Sequence, residues 1–253
     1  MIKHSRLINS ILFPIALFSI TLIYLNYLDV INWVISALLL LFFVLCGIFE
    51  GVIQRQVHET TSFLPKKNVL WYVILIALLG YIAANSTWMI AIPGLIYIII
   101  ITFQYLFFHY DLQNVGHVLL AFLKNYLPIM ILFYAHLNFL PGTLIRFSLI
   151  FYIPQFLNTW IITYYIASNS QINDNNYNQT VINQYMFPLM NVSVVLAFIL
   201  SISNTAWYSL LYLLLLPLYY FFKKSNFTKA TMLYSFIISF SVLTIFIWSF
   251  SFA

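Results

Sequence analysis

The sequence predicts an all-α integral membrane protein: a polytopic transmembrane helix bundle of about nine spans, forming a single domain over residues 1–253. Of the 253 residues, 64% are hydrophobic and only 6% are charged, against about 25% charged residues in a soluble domain. So few charges cannot cover a surface that faces water. The composition therefore excludes a soluble enzyme, a nucleic-acid-binding domain and a disordered chain.

The apolar runs are continuous, as in Ala37–Cys46 and Leu95–Ile101, whereas the strands of a membrane barrel alternate apolar and polar residues. A helix needs about 20 mostly apolar residues to cross the hydrocarbon core. Nine segments approach that length, although the third and eighth are short enough to leave eight spans as an alternative. The segments are Ile8–Leu25, Val30–Phe49, Val69–Ala84, Trp88–Phe108, His117–Phe139, Leu144–Ala167, Tyr185–Ser203, Trp207–Phe222 and Thr228–Ser251.

The distribution of basic residues predicts a cytoplasmic N-terminus in a multi-pass cell-membrane protein, most simply one of the bacterial plasma membrane. Cytoplasmic loops carry an excess of Lys and Arg. With the N-terminus inside, the outer face has only Arg146, near a helix start. The inner face holds the basic residues Lys3, Arg6, Arg55, Lys66, Lys67, Lys223, Lys224 and Lys229. No cleavage site follows the basic N-terminus, so we expect an uncleaved first helix.

Ionisable residues near the spans are the first candidates for function, because they are costly in a membrane. Glu50, Gln54 and Arg55 follow the second span and either line the inner mouth of a cavity or form a solvated helix end. Lys124, in the fifth span, either points into a cavity or extends to the inner headgroups. The single cysteine, Cys46, cannot form an internal disulfide, and we interpret it as a buried hydrophobic residue.

A polar segment interrupts the sixth span around Pro154. Gln155 and Asn158 lie one helical turn apart, and a proline within a helix removes a backbone hydrogen bond. Such irregular backbone is tolerated in a membrane where protein or a water-filled cavity satisfies it. We therefore expect Gln155 and Asn158 to face the interior, beside a kink at Pro154.

Two other kinds of site are not predicted. His109, His117 and His136 do not fall where two helices could present them to one haem, so we expect no haem. The chain has no H-E-x-x-H motif, no G-x-S-x-G motif and no phosphate-binding P-loop. An ATP-driven role would therefore need a separate partner subunit.

Three stretches resemble the UbiA-type intramembrane prenyltransferases, closest to the haem O synthase (protohaem IX farnesyltransferase) branch. Cys46–Arg55 lies where that family has N-D-x-x-D-x-x-x-D-R, with Cys46 and Gly47 in place of the leading Asn-Asp. Ile153–Phe156 resembles the family's W-Q-x-P-H-F helix without its histidine. This second stretch continues to Met186–Pro188. The third stretch comprises Lys223–Asn226 and Ala230–Ser235, which are similar to the family's last loop and helix.

The resemblance implies a Mg²⁺ site for a prenyl diphosphate, with Glu50 and Asp174 as its only carboxylates. Gln54 would contribute an uncharged carbonyl, and Arg55 and Lys124 would be the cations near an anionic head group. Tyr177, with Asp174, matches the family's D-Y loop. Mg²⁺ is usually held by one or two protein carboxylates together with substrate phosphates. The resemblance thus implies a cavity for an isoprenoid more strongly than it implies catalysis.

We therefore expect a prenyltransferase-like protein, possessing an isoprenoid-binding cavity, in which catalysis is doubtful. The segment Glu50–Arg55 and the loop Ser168–Gln184 should meet over this cavity on the cytoplasmic side. Two alternatives stay open. The chain could be a transporter or permease subunit that works with a separate ATPase, or a non-catalytic assembly or immunity factor that binds another membrane protein.

Overall fold

The computed structural model describes residues 2–59, 68–110, 112–139, 142, 145, 148–169, 176–224 and 229–251. Within these ranges the chain forms nine α-helices and no strand. The helices are α1 (Ile2–Tyr27), α2 (Trp33–Glu59), α3 (Val69–Asn85), α4 (Ala91–His109), α5 (Gln113–Leu137), α6 (Tyr152–Asn169), α7 (Asn176–Thr205), α8 (Leu215–Lys224) and α9 (Lys229–Ser251). Three 3₁₀ segments, Trp88–Ile90, Leu149–Phe151 and Ala206–Leu214, lead into α4, α6 and α8.

The all-α prediction is confirmed for the described part of the chain, and some of its helices are long and apolar enough to be membrane spans. Three of them are long and apolar enough to cross a membrane: Trp33–Ile53, Val115–Leu137 and Gln184–Ile202. Shorter apolar helices occur in five further places: Pro14–Tyr27, Val69–Asn85, Trp88–Gln104, Trp207–Leu218 and Ser235–Phe250. The number of spans and the side on which the N-terminus lies stay predictions.

Helices α2 and α4 run in the same direction. Phe43 and Tyr97 contact each other with ring centroids 5.1 Å apart, and two turns further along both helices Glu50 meets Gln104. Helix α3 runs against α4, because the hydroxyls of Tyr72 and Thr102 are 3.1 Å apart near the start of one and the end of the other.

Helix α5 runs opposite to α2. Ser36, in the first turn of α2, meets His136 in the last turn of α5, whereas Glu50 meets Lys124 near the middle of α5. Directions therefore alternate from α2 to α5, as they must when successive helices cross a bundle through short connections. Because of this alternation, the late part of α2 lies beside the late part of α4 and the middle of α5.

The chain marks several helix ends with local polar contacts. The Asn32 side-chain oxygen accepts a hydrogen bond from the backbone N–H of Ile35 at 3.2 Å and so caps the start of α2. Asn138 adopts the left-handed conformation that commonly ends a helix, with φ of 56° after the last residue of α5. The carbonyl of Asn32 also lies 3.3 Å from Nε2 of His136, so these two helix ends are in contact.

Two predicted boundaries were wrong. Helix α2 continues to Glu59 instead of ending at Phe49, and α7 begins at Asn176 within the predicted loop Ser168–Gln184. No proline or glycine follows Gly51 before Glu59, so the helix continues past the apolar run. The length of an apolar run indicates how much of the chain can lie in the hydrocarbon core, whereas a helix ends where its backbone hydrogen bonds end.

The sequence predicted that Pro154 interrupts a long helix, but Pro154 does not do so. It occupies the first turn of α6, where its missing N–H would have had no intrahelical partner in any case. The irregularity precedes it, in the 3₁₀ segment Leu149–Phe151. The expected break is therefore present, but it marks the start of α6.

Candidate functional site

Glu50 is buried inside the helix bundle and paired with a lysine. Its relative exposure is 5%, and it lies on α2 within the candidate span Trp33–Ile53. Lys124 of α5 forms an ion pair with its carboxylate, and Lys124 Nζ donates a hydrogen bond to Oε1. The interpretations of Glu50 as a solvated helix end and of Lys124 as reaching the headgroups are therefore wrong.

Gln104 completes this cluster from a third helix. Its Nε2 donates a hydrogen bond to Glu50 Oε1 at 2.8 Å, and Gln104 is itself buried. Glu50 thus receives donors from α4 and α5 at once. A buried charge is costly unless it is both paired and hydrogen-bonded, and Glu50 meets both conditions.

The surroundings of Glu50 are apolar enough to make these contacts strong. Cys46, one turn earlier on α2, is fully buried, and Tyr97 of α4 is nearly so. Charges interact more strongly where little water screens them. The prediction that Cys46 is a buried hydrophobic residue is confirmed.

A second set of polar side chains lies in the interior without the same degree of pairing. Asn125, next to Lys124, has a relative exposure of 2%, and neither Oδ1 nor Nδ2 has a hydrogen-bond partner among the described residues. The same holds for Oε1 of Gln155 on α6. Gln155 and Asn158 are both buried, as the sequence predicted. Their membership of a cavity stays a prediction.

Other predicted site residues are only partly visible. Gln54 and Arg55 belong to α2 and Tyr177 to α7, but their side chains lie outside the described part of the structure. Asp174 lies outside the described residues altogether. The predicted meeting of Glu50 with Asp174, and of the segment Glu50–Arg55 with the loop Ser168–Gln184, therefore stays a prediction.

The surroundings of Glu50 do not fit the Mg²⁺ site that the resemblance implies. Lys124 contacts both carboxylate oxygens, and Gln104 also donates to Oε1. A metal ion would have to displace the lysine, whose charge already neutralises the carboxylate. Within the described residues, no group of three or more His, Cys, Asp and Glu side chains is close enough to hold a metal.

The histidines of α5 are far apart. His117 and His136 are separated by nineteen positions of one helix, or about 28 Å at 1.5 Å per residue. They cannot ligate the same haem iron. His136 instead places Nε2 3.1 Å from the hydroxyl of Ser36 and Nδ1 2.8 Å from the carbonyl of Leu132.

Gln104 is the site residue that the sequence analysis missed. It is a single uncharged amide near the end of an otherwise apolar segment, so it lacks the charge that singles out Glu50 and Lys124. A search for polar residues at the same depth in neighbouring spans could have found it, since an amide in hydrocarbon needs a partner.

Comparison with known proteins adds no further assignment. No family model, no curated protein and no solved structure matches the chain.

Proposed function

We propose that the chain is a nine-span protein of the bacterial plasma membrane, with a cytoplasmic N-terminus, that holds an isoprenoid lipid within its helix bundle and does not transfer the prenyl group. The observation that carries the proposal is the buried cluster of Glu50, Lys124 and Gln104. Ionisable groups inside a membrane are costly, and they usually mark a ligand site or an ion path.

The pairing of Glu50 supports the non-catalytic part of the proposal. Prenyl transfer of the kind that the resemblance implies uses Mg²⁺ to draw charge from a diphosphate leaving group. In this chain Lys124 occupies the carboxylate that would hold the metal. Gln54 stands where the family has another aspartate and offers no charge. The site is thus better suited to binding than to ionising a substrate.

Binding of the tail needs no conserved chemistry. Burying an apolar chain stabilises a complex by about 0.8 kcal/mol per CH₂ group. A bundle with this many apolar side chains can retain that interaction after the metal ligands are lost. We therefore expect the chain to bind isoprenoids although it does not catalyse prenyl transfer.

Lipid analysis of the purified protein tests the binding. We expect an isoprenoid to co-purify with the wild-type chain and to be depleted in the double variant Glu50→Gln with Lys124→Gln. Asn85→Ala is the matched control, because Asn85 is an exposed amide that donates to the carbonyl of Tyr81 on its own helix. Recovery of phospholipid alone from the wild-type chain would contradict the proposal.

Two further measurements test the other parts. Incubation with a prenyl diphosphate, Mg²⁺ and aromatic or haem acceptors should release no diphosphate, and turnover would contradict the absence of transfer. A reporter that is active only in the cytoplasm should be inactive when fused after Ala253 and active when inserted between residues 60 and 67. The reverse pattern would contradict the proposed topology.

A permease subunit is the second candidate, because a buried ion pair between two helices also occurs along transport paths. That function requires a separate ATP-binding subunit, since the chain has no P-loop. Gentle purification followed by native mass spectrometry distinguishes the two proposals. A stoichiometric nucleotide-binding protein would favour the permease, and a bound isoprenoid would favour the first proposal.

A further inference from the structure

Asn125 is a buried amide that nothing in the described protein satisfies. It lies on α5, its relative exposure is 2%, and both its oxygen and its nitrogen have no hydrogen-bond partner there. Leaving a buried polar group unsatisfied costs free energy, and most such groups in folded proteins have a partner. An amide with both ends open therefore points to something that binds there.

The immediate electrostatics favour an uncharged occupant. Lys124, the preceding residue, is already paired with Glu50, and together they carry no net charge. An anion next to Asn125 would therefore find the charge of Lys124 already paired.

We propose that Asn125 binds the hydroxyl group of a long-chain isoprenoid alcohol, in preference to a prenyl diphosphate. A hydroxyl donates one hydrogen bond and accepts others. It can therefore donate to Asn125 Oδ1 while it accepts from Nδ2. This inference rests on the proposed function for its isoprenoid tail, and it specifies the head group.

Other head groups leave part of the amide unsatisfied. A carbonyl can only accept, so Asn125 Oδ1 would remain without a donor. An ionised diphosphate likewise offers only acceptor oxygens, and its charge would be costly to bury without a counter-ion. A water molecule has the right hydrogen-bonding groups but no tail, and the experiment below separates it from an alcohol.

Aromatic side chains flank Asn125 along α5. Phe122, one turn earlier on α5, is 43% exposed, stacks on Tyr126 at 5.5 Å and meets Tyr152 of α6 edge-on at 6.4 Å. These three rings pack together at the junction of α5 and α6, where we expect the tail to lie. Gln155, one turn after Tyr152 on α6, has a buried side-chain oxygen with no partner among the described residues.

The test uses the full-length protein in detergent and four C20 probes: geranylgeraniol, its methyl ether, geranylgeranyl diphosphate and the saturated hydrocarbon. Dissociation constants are obtained from the rise of Tm with probe concentration. We expect the alcohol to bind about tenfold more tightly than the ether, which cannot donate, since one hydrogen bond is worth about a factor of ten. The diphosphate and the hydrocarbon should bind more weakly still.

Asn125→Leu should weaken binding of the alcohol about tenfold, remove its advantage over the ether and leave hydrocarbon binding unchanged. Asn85→Ala is the control and should behave like wild type. Because the four probes are also compared on the wild-type protein, the inference remains testable if Asn125→Leu does not fold.

Several results would overturn the inference. Equal affinity for alcohol and ether in the wild-type protein would mean that Oδ1 receives no donor from the ligand. Tighter binding of the diphosphate than of the alcohol would overturn the proposed head group but leave the proposed isoprenoid function intact. A changed Tm in Asn125→Leu with unchanged alcohol affinity would assign the amide to a buried water. If no C20 probe binds, the proposed function fails as well.

Discussion

Helices α2 and α5 are joined at two levels by different chemistry. Near the start of α2, the hydroxyl of Ser36 meets the imidazole of His136 at 3.1 Å, and this contact is only partly buried. Fourteen residues further along α2, about 21 Å at 1.5 Å per residue, Glu50 pairs with Lys124 in the interior. The first contact is a partly buried hydrogen bond between a hydroxyl and an imidazole, and the second is an ion pair in the interior of the bundle.

The difference shows that the net stability a contact contributes and the free energy lost when one partner is removed are separate quantities. A partly buried hydrogen bond contributes about 0.5–1.5 kcal/mol net, because its groups regain water when it breaks. A buried ion pair contributes little net stability, yet removing one partner leaves an uncompensated charge and costs about 3–5 kcal/mol. Substitutions at the two levels should therefore differ several-fold in effect, and the following predictions test that.

Lys124→Met should have the largest effect. It leaves the buried Glu50 without its cation, so we expect a loss of about 3–5 kcal/mol in the free energy of unfolding. Reversible unfolding in detergent micelles measures this. The double variant Glu50→Gln with Lys124→Met removes both charges and should recover most of the loss. Equal stability of the single and double variants would mean that Glu50 is not charged when buried.

Gln104→Leu should have the next largest effect. A hydrogen bond to a charged group is worth about 1.5–3 kcal/mol, and Gln104 supplies one to Glu50 without adding charge of its own. The same unfolding measurement applies. Thr102→Val, two residues earlier on α4, removes the contact with the Tyr72 hydroxyl and the hydrogen bond to the Ile98 carbonyl, neither of which involves Glu50, and is the matched comparison. A larger loss for Thr102→Val would contradict the central role of Glu50.

Ser36→Ala should cost about 0.5–1.5 kcal/mol, since it removes one partly buried hydrogen bond to His136. The His136 ring also lies 3.3 Å from the carbonyl of Asn32, which keeps a contact with α2 in the variant. Thermal unfolding compares it directly with Lys124→Met. A loss as large as that of Lys124→Met would show that the two levels are equivalent.

Gln155→Met should have the smallest effect and is expected to change stability by less than about 1 kcal/mol or to stabilise the ligand-free protein. Its Oε1 is buried without a partner, so an apolar side chain of similar length removes an unsatisfied group. Asn158→Leu is the contrast, because Asn158 has an interaction that the change would remove. Strong destabilisation by Gln155→Met would imply an additional partner for Gln155.

The candidate site was partly predictable from sequence. Glu50 and Lys124 were singled out because charge is rare in apolar segments, and each had an interior and a surface interpretation. Their pairing could not be predicted from the sequence, because the two residues are far apart in the chain. The residues around each of them do not specify how α2 and α5 align. Gln104 was missed because a neutral amide gives a weak signal on its own.

By itself, the sequence determined the class of the protein and the positions of most helices, because hydrophobic composition and apolar length depend on residues that are near each other in the chain. It also determined that Gln155 and Asn158 would be interior, since amides avoid hydrocarbon. Only the tertiary structure decided that Glu50 is neutralised by Lys124 and that Asn125 is left unsatisfied. Those outcomes depend on the directions and relative heights of separate helices, which long-range packing fixes.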